Sequence, residues 1–227
     1  MIIALIGQKG GSGKSTTAIN LAVEWRRRGR RVLLVDADAQ GSTRTWGEFA
    51  ARRDPPGSTP TVIAMGAEMH RGGQLPAVAT SYDVTIVDSP PRHDEIQRSA
   101  LMVAGLALLP CGPTAMDAWA LSETLELVAR ARVVRPRLRA AVLITRKIAG
   151  TALGRSAREA LVDCGLPLLA TELGFRVAFQ EAPAAGLGVT EYQSRSPAAD
   201  EIRALADEVE QLAATRRIDE ELDHAAA

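Results

Sequence analysis

Apolar residues fall along this chain in short blocks that alternate between two periods. Ile2 to Gly7 (IIALIG), Val32 to Val35, Val62 to Met65, Tyr82 to Val87, Gly105 to Leu109, Ala140 to Thr145 and Leu166 to Ala170 are brief runs, several rich in β-branched residues. Runs of that kind predict strands buried on both faces of a parallel sheet. Between them the period lengthens to that of a helix. From Ser15 to Arg28, Ala18, Leu21, Ala22 and Trp25 recur on one face, and Gly29 stands where a left-handed C-terminal cap belongs. Met116 to Val134 and Ala152 to Cys164 read as further helices. A last one opens at Ser196 and Pro197 and carries the stripe Ile202, Leu205, Ala206, Val209, Leu212 and Ala213. Alternating strands and helices predict an α/β fold, a mostly parallel twisted sheet with helices on both faces. Arg52 to Pro60 has turn chemistry and reads as a surface loop.

The chemistry sits where strands end. Directly after the first strand comes KGGSGKST, Lys9 to Thr16, with glycines at 10, 11 and 13. The pattern GxxxxGK[ST] is met only with a shift in register. Such glycines let backbone N–H groups turn inward around phosphates, while Lys14 and the Ser15 hydroxyl serve phosphate and Mg²⁺. Glycine clusters also arise for purely steric reasons, but a strand before and a helix N-terminus after make this one an anion site. Lys9 is a second lysine at the start of a loop that already has one, and a flexible ammonium there can reach a phosphate held by another subunit. The second strand delivers Asp36 and Asp38, and the Tyr82 strand presents Asp88. Ligands of open α/β sheets bind at that edge. One such aspartate is as readily a cap or turn residue; three behind a phosphate loop point to Mg²⁺ and nucleotide.

KGGSGKST, VDADAQGS, IVDSPP and QEAPAAG together resemble the deviant Walker motifs and C-terminal landmark of ParA-type partition ATPases of the ParA/MinD superfamily, over nearly the whole chain. TRTWGEFA and AVLITRKI are similar to the short, ParF-like branch, and with Met1 leading straight into a strand no separate DNA-binding domain is expected. The resemblance implies an ATPase with ATP and Mg²⁺ as cofactors. Lys9 is then the signature lysine that contacts the partner's nucleotide in an ATP-bound homodimer. Lys14 holds the β- and γ-phosphates, with Gly10, Gly11, Ser12 and Gly13 around them and Thr16 near the α-phosphate. Ser15 binds Mg²⁺, Asp88 holds it through water, Asp36 supports the metal site and Asp38 positions the attacking water. Ala39 departs from the pattern, since many members have proline there. The resemblance also implies nonspecific DNA binding, a ParB-like centromere-binding adaptor, slow intrinsic turnover and association with the nucleoid. It places Arg195, and with a shifted register Arg176, near DNA-contacting positions; Arg146 and Lys147 add basic character. The segment Phe175 to Pro183 is expected near the adenine.

Composition narrows the partners. Lys plus Arg and Asp plus Glu number 27 each among 227 residues, so any basic surface is local. The arginine run at 26, 27, 28, 30 and 31 reads as a helix C-terminus complementing the dipole rather than as the DNA site. A membrane-surface helix, as in the related MinD, needs a basic polar face. Between Asp200 and Asp223 nine acids face three arginines, which predicts a core-packed last helix and no membrane partner. Cys111 and Cys164 have no metal-ligand spacing, which suits a reducing cytoplasm and argues against an iron–sulfur reductase. There is no signal-peptide pattern and no apolar run near the ~20 residues that span a bilayer. A small-molecule P-loop kinase would share the phosphate loop but needs a substrate pocket that nothing in the sequence identifies. One domain over 1–227 is expected, with residues 217–227 as a frayed tail.

Overall fold

The computed structural model describes residues 1–54 and 57–225, with side chains up to residue 214. Within those residues seven strands form one all-parallel sheet in the order β3-β2-β4-β1-β5-β6-β7. They are β1 (Ile2–Leu5), β2 (Val32–Asp36), β3 (Thr61–Ala64), β4 (Val84–Asp88), β5 (Leu106–Cys111), β6 (Arg139–Lys147) and β7 (Leu168–Gly174). The helices are α1 (Lys14–Arg27), α2 (Ser42–Ala51), α3 (Leu75–Ala79), α4 (Asp94–Val103), α5 (Ala115–Val134), α6 (Ala152–Leu161), α7 (Ala178–Ala184), α8 (Val189–Tyr192) and α9 (Pro197–Ala225). The expected fold class is the one found.

Strand side chains alternate between faces, so each strand feeds two cores. Ile3, Leu5, Leu34 and Ile86 face α1, α2, α7, α8 and α9, with Trp25 and Ile202 among the buried partners. Ala4, Ile6, Leu33, Val35 and Val87 face the other layer, α3 to α6, through Leu75, Leu101, Leu121 and Leu161. Burial on both sides is why the central strands read as continuous apolar runs. Helix α1 ends as expected: Gly29 has φ 80, its N–H reaches the carbonyl of Arg26 and that of Arg30 the carbonyl of Trp25.

Several boundaries shift for physical reasons. The last strand begins at Leu168 and continues to Gly174, because Gly165 turns the chain at φ 85 and the edge strand carries polar Thr171 and Glu172 that no apolar run announces. Helix α6 stops at Leu161, short of Cys164. The short helices α2, α3, α4, α7 and α8 were not expected from periodicity; α7 even contains Pro183. Helix α9 lays Ala198, Ile202, Leu205, Ala206 and Val209 into the core, as its stripe requires. Two of its acids bond the edge strand: Glu208 accepts the N–H groups of Ala170 and Thr171 along the edge of β7, and Glu201 accepts that of Gly174. Helical backbone runs to Ala225, whereas the end of the expected tail, 226–227, and the side chains from 215 onward lie outside the described residues, as do Pro55 and Pro56 of the expected surface loop. Among the described residues no helix is long and apolar enough to cross a membrane.

Candidate functional site

The strand register brings the chemistry to one level. Leu5 pairs with Asp88 and Asp88 with Asp36, so the phosphate loop leaves β1 beside the carboxylates that end β4 and β2. This is the point at which the strand order turns back, where open α/β sheets bind ligands. Gly11 and Gly13 have φ 73 and 95, the left-handed region that a side chain resists. A Cβ on Gly13 would lie in ordinary contact with Thr145 at 3.6 Å, so the conformation and not the space resists a side chain there; the Thr145 hydroxyl donates to the Ser12 carbonyl at 2.8 Å. Arg146 donates to the Gly11 carbonyl at 2.9 Å. The end of β6 therefore props the loop from outside, a support the sequence does not announce.

Lys14 is buried under the loop, with Nζ donating to the carbonyls of Gly7 at 3.0 Å and Lys9 at 3.1 Å. Desolvation lowers its pKa, against the opposing fields of Asp88 and Asp38. A cation held dry by two neutral carbonyls is poised to exchange them for phosphate oxygens. Asp88 is 1% exposed. Burial pushes its pKa up to about 6, against the hydrogen bond from Thr43 and the neighbouring Ser15 hydroxyl, and the nearby Asp36 adds to the rise. The Thr43 hydroxyl donates to Oδ2 at 2.6 Å, while Oδ1 is buried without a partner. An orphaned carboxylate oxygen beside the Ser15 hydroxyl fits a hydrated Mg²⁺, since each such atom otherwise costs about 1–3 kcal/mol. Asp36 has a different employment. Its two oxygens accept the N–H groups of Asp38 at 3.0 Å and Arg44 at 2.7 Å, which ties the loop of Asp38 to the start of α2.

A cavity of about 380 Å³ opens over this floor. Gly10 to Thr17, Asp38, Ser89 and Thr145 line it together with Phe175, Arg176, Phe179 and Gln180, so the segment expected near the adenine stands at the cavity. The size suits a small polar ligand.

Lys9 is placed differently from the free ammonium that the sequence suggests. Its Nζ lies 2.6 Å from Oδ1 of Asp117, with the side chains 33% and 4% exposed. The contact is an ion pair without the alignment of a hydrogen bond. Asp117 also closes a capping box at the start of α5, accepting from the N–H and hydroxyl of Thr114. Burial raises its pKa, but Lys9 and Thr114 outweigh burial and hold it below the ordinary value. The pattern Thr114-x-x-Asp117 was legible as a helix start; that Asp117 holds Lys9 was not.

The basic candidates do not form one group. Arg146 and Arg176 line the cavity, and Arg176 is held by Glu201 at 2.9 and 2.5 Å. Lys147 pairs with Glu172, which Arg158 shares, and Arg195 is exposed. The arginine run after α1 is tied down through Arg28 to Glu24 and Asp207 and through Arg31 to Asp83. Cys111 is buried and its thiol is pushed up to about 12, chiefly by desolvation with Asp117 adding to it, the opposite of what a cluster ligand needs. Among the described residues no cluster of His, Cys, Asp and Glu could itself hold a metal ion.

Residues 3–189 match the model of the CobQ/CobB/MinD/ParA nucleotide binding domain. The chain is 30% identical over 209 residues to maintenance of carboxysome distribution protein A of Halothiobacillus neapolitanus, covering 91% of this chain and 95% of that one. It is 31% identical over 239 residues to the chromosome-partitioning ATPase Soj of Thermus thermophilus, covering 91% and 94%. Among solved structures, the MinD cell division protein of Aquifex aeolicus superposes with a TM-score of 0.75 at 18% identity, covering 92% of this chain and 97% of that one, a likeness of fold.

Proposed function

The chain belongs to the CobQ/CobB/MinD/ParA nucleotide-binding family, an ATPase of the ParA/MinD kind, and from that premise we propose that it is an ATP-driven positioning switch whose cargo is DNA. One observation carries the nucleotide part: the buried, carbonyl-held Lys14 lies in the field of Asp88, whose Oδ1 is buried without a partner. ATP takes the cavity, with its β- and γ-phosphates on Lys14 and the amides of residues 10–16. Ser15 and Asp88 would hold a hydrated Mg²⁺, which would neutralise phosphate charge. Asp36 acts through the loop it organises, setting Asp38 where it can orient a water. That water adds to the γ-phosphorus as the bond to the ADP oxygen breaks, its proton passes to an oxygen of the phosphate, and phosphate and ADP leave. No strong base stands at the cavity, so unaided turnover is slow.

Closure over the nucleotide brings a second copy against Lys9. The surface beside it favours such cover: Met116 and Trp119 on the first turns of α5 are 67% and 72% exposed, next to the Lys9–Asp117 pair. Large apolar side chains in the open are what an interface buries. The ATP-bound dimer retains DNA without regard to sequence, Arg195 being the free candidate contact, and a ParB-like adaptor stimulates hydrolysis and resets it. A protein assembly is the alternative cargo, which the carboxysome-distributing relative makes the second reading. Light scattering and DNA retention at two salt concentrations, with ATP against ADP, test the proposal. ATP should give a dimer that holds DNA steeply less well at higher salt. Equal behaviour with both nucleotides would sink the switch, and an ATP dimer that ignores DNA would favour the protein cargo.

A further inference from the structure

Gln97 on α4 is completely buried, and its amide bridges two loops of the phosphate site. Nε2 donates to the carbonyl of Pro90 at 2.6 Å and to that of Gly7 at 3.3 Å. Both partners are acceptors, so the amide can be oriented in only one way. The Gly7 carbonyl is also one of the two that hold Lys14. Pro90 lies two residues beyond Asp88, in a segment stitched to β1 by the Ser89 hydroxyl, which donates to Leu5 at 2.5 Å. A second bond ties α4 to the same loop, from Gln8 Nε2 to Asp94 Oδ1 at 2.7 Å. Gln97 achieves this at a cost, because its own Oε1 is buried without a partner, and a lone buried acceptor forfeits about 1–3 kcal/mol. An apolar side chain of the same volume would avoid that loss. What it could not do is donate to two carbonyls at once.

We infer that Gln97 is a positioning residue for the phosphate and Mg²⁺ site: its amide fixes the loop after Asp88 against the loop that carries Lys14. The inference rests on the nucleotide reading given above. Lys14 must leave the Gly7 carbonyl to meet a phosphate, and Gln97 is then the remaining side-chain donor to that carbonyl. With it in place the loop keeps its shape while the lysine turns. Without it, release of Lys14 strands a buried carbonyl, and the segment after Asp88 keeps its Ser89 bond to β1 but loses its tie at Pro90 to the Gly7 loop.

The test uses the full chain with Gln97→Met, which keeps volume and loses both donors, and Gln97→Glu, which keeps shape and gives up the amide. A fluorescent ADP is titrated with and without Mg²⁺, and kcat, KM and Tm are measured alongside. Residues that orient ligands from behind typically change metal affinity or activity by about 10–100-fold. We expect Mg²⁺-free binding within about threefold of wild type, a tightening by Mg²⁺ that shrinks about tenfold, and kcat down about tenfold at nearly constant KM. Wild-type Mg²⁺ enhancement in a folded Gln97→Met protein overturns the inference. So does a uniform weakening that follows the fall in Tm, the mark of a merely structural glutamine. If the Met variant does not fold, the Glu variant decides by the same two criteria. A wild type that binds Mg²⁺ and ADP but hydrolyses no ATP removes the ATPase reading alone, and the Mg²⁺ enhancement still judges Gln97; a wild type that binds no nucleotide removes both.

Discussion

Asp117→Asn is the substitution that asks most of the dimer reading. In the isolated chain Lys9 is parked on Asp117 at 2.6 Å, and it must be freed to touch a nucleotide in the partner. An exposed ion pair is worth about 0–1 kcal/mol. This one has its acid end 4% exposed, so stranding the carboxylate brings the cost to the top of that range, about 1 kcal/mol per subunit. A dimer breaks two such pairs, for about 2 kcal/mol, or roughly 30-fold in the dimer dissociation constant. Asparagine keeps an oxygen for the Thr114 N–H, so the cap survives in part and Tm should move by no more than about 1 kcal/mol equivalent. Sedimentation across a concentration series, with a slowly hydrolysed ATP analogue, reads the constant. The expected result is dimerisation tightened by about 30-fold with the analogue and absent with ADP. An unchanged or weaker dimer would refute the idea that Asp117 restrains Lys9, and would recast it as a group that Lys9 needs while reaching across.

Three other outcomes follow from the site. Lys14→Met should weaken nucleotide binding by at least about 100-fold while leaving Tm unchanged or higher, because a desolvated ammonium is removed; calorimetry and nucleotide titration check both halves. Asp88 ties stability to pH. Its folded pKa of about 6 lies above the ordinary 3.8, so the stability it contributes is fully present below about 4 and is lost as pH rises through 6. The difference is about 3 kcal/mol in the nucleotide-free protein, and Asp88→Asn should flatten the Tm profile between pH 4.5 and roughly 8 relative to wild type. Gly13→Ala places a Cβ at φ 95 against Thr145, which should cost about 1–3 kcal/mol and abolish nucleotide binding, whereas Gly10→Ala, which meets only Pro91 at 4.0 Å, should keep the fold; a Gly13→Ala protein with wild-type Tm and affinity would contradict the strain argument.

The alternation of elements, the position of the phosphate loop and the strand-end carboxylates are written in the linear pattern of residues. Those features are local: a buried parallel strand must be apolar throughout, a helix must repeat its apolar face, and a backbone that curls around phosphate must be rich in glycine. The far half of the edge strand β7, Thr171 to Gly174, and the short helices escaped because half-exposed or four- to ten-residue segments bury too little to leave a period. Tertiary structure alone decided who meets whom. Asp117 stands 108 positions from Lys9 and holds it, the Thr43 hydroxyl donates to Asp88, Arg146 supports the loop, and Gln97 joins the loop after β1 to the loop after β4. Each pairing follows from strand order and register, which bring distant chain ends to one sheet edge. A linear pattern records what each residue can offer, and only the packed sheet settles which offer is taken.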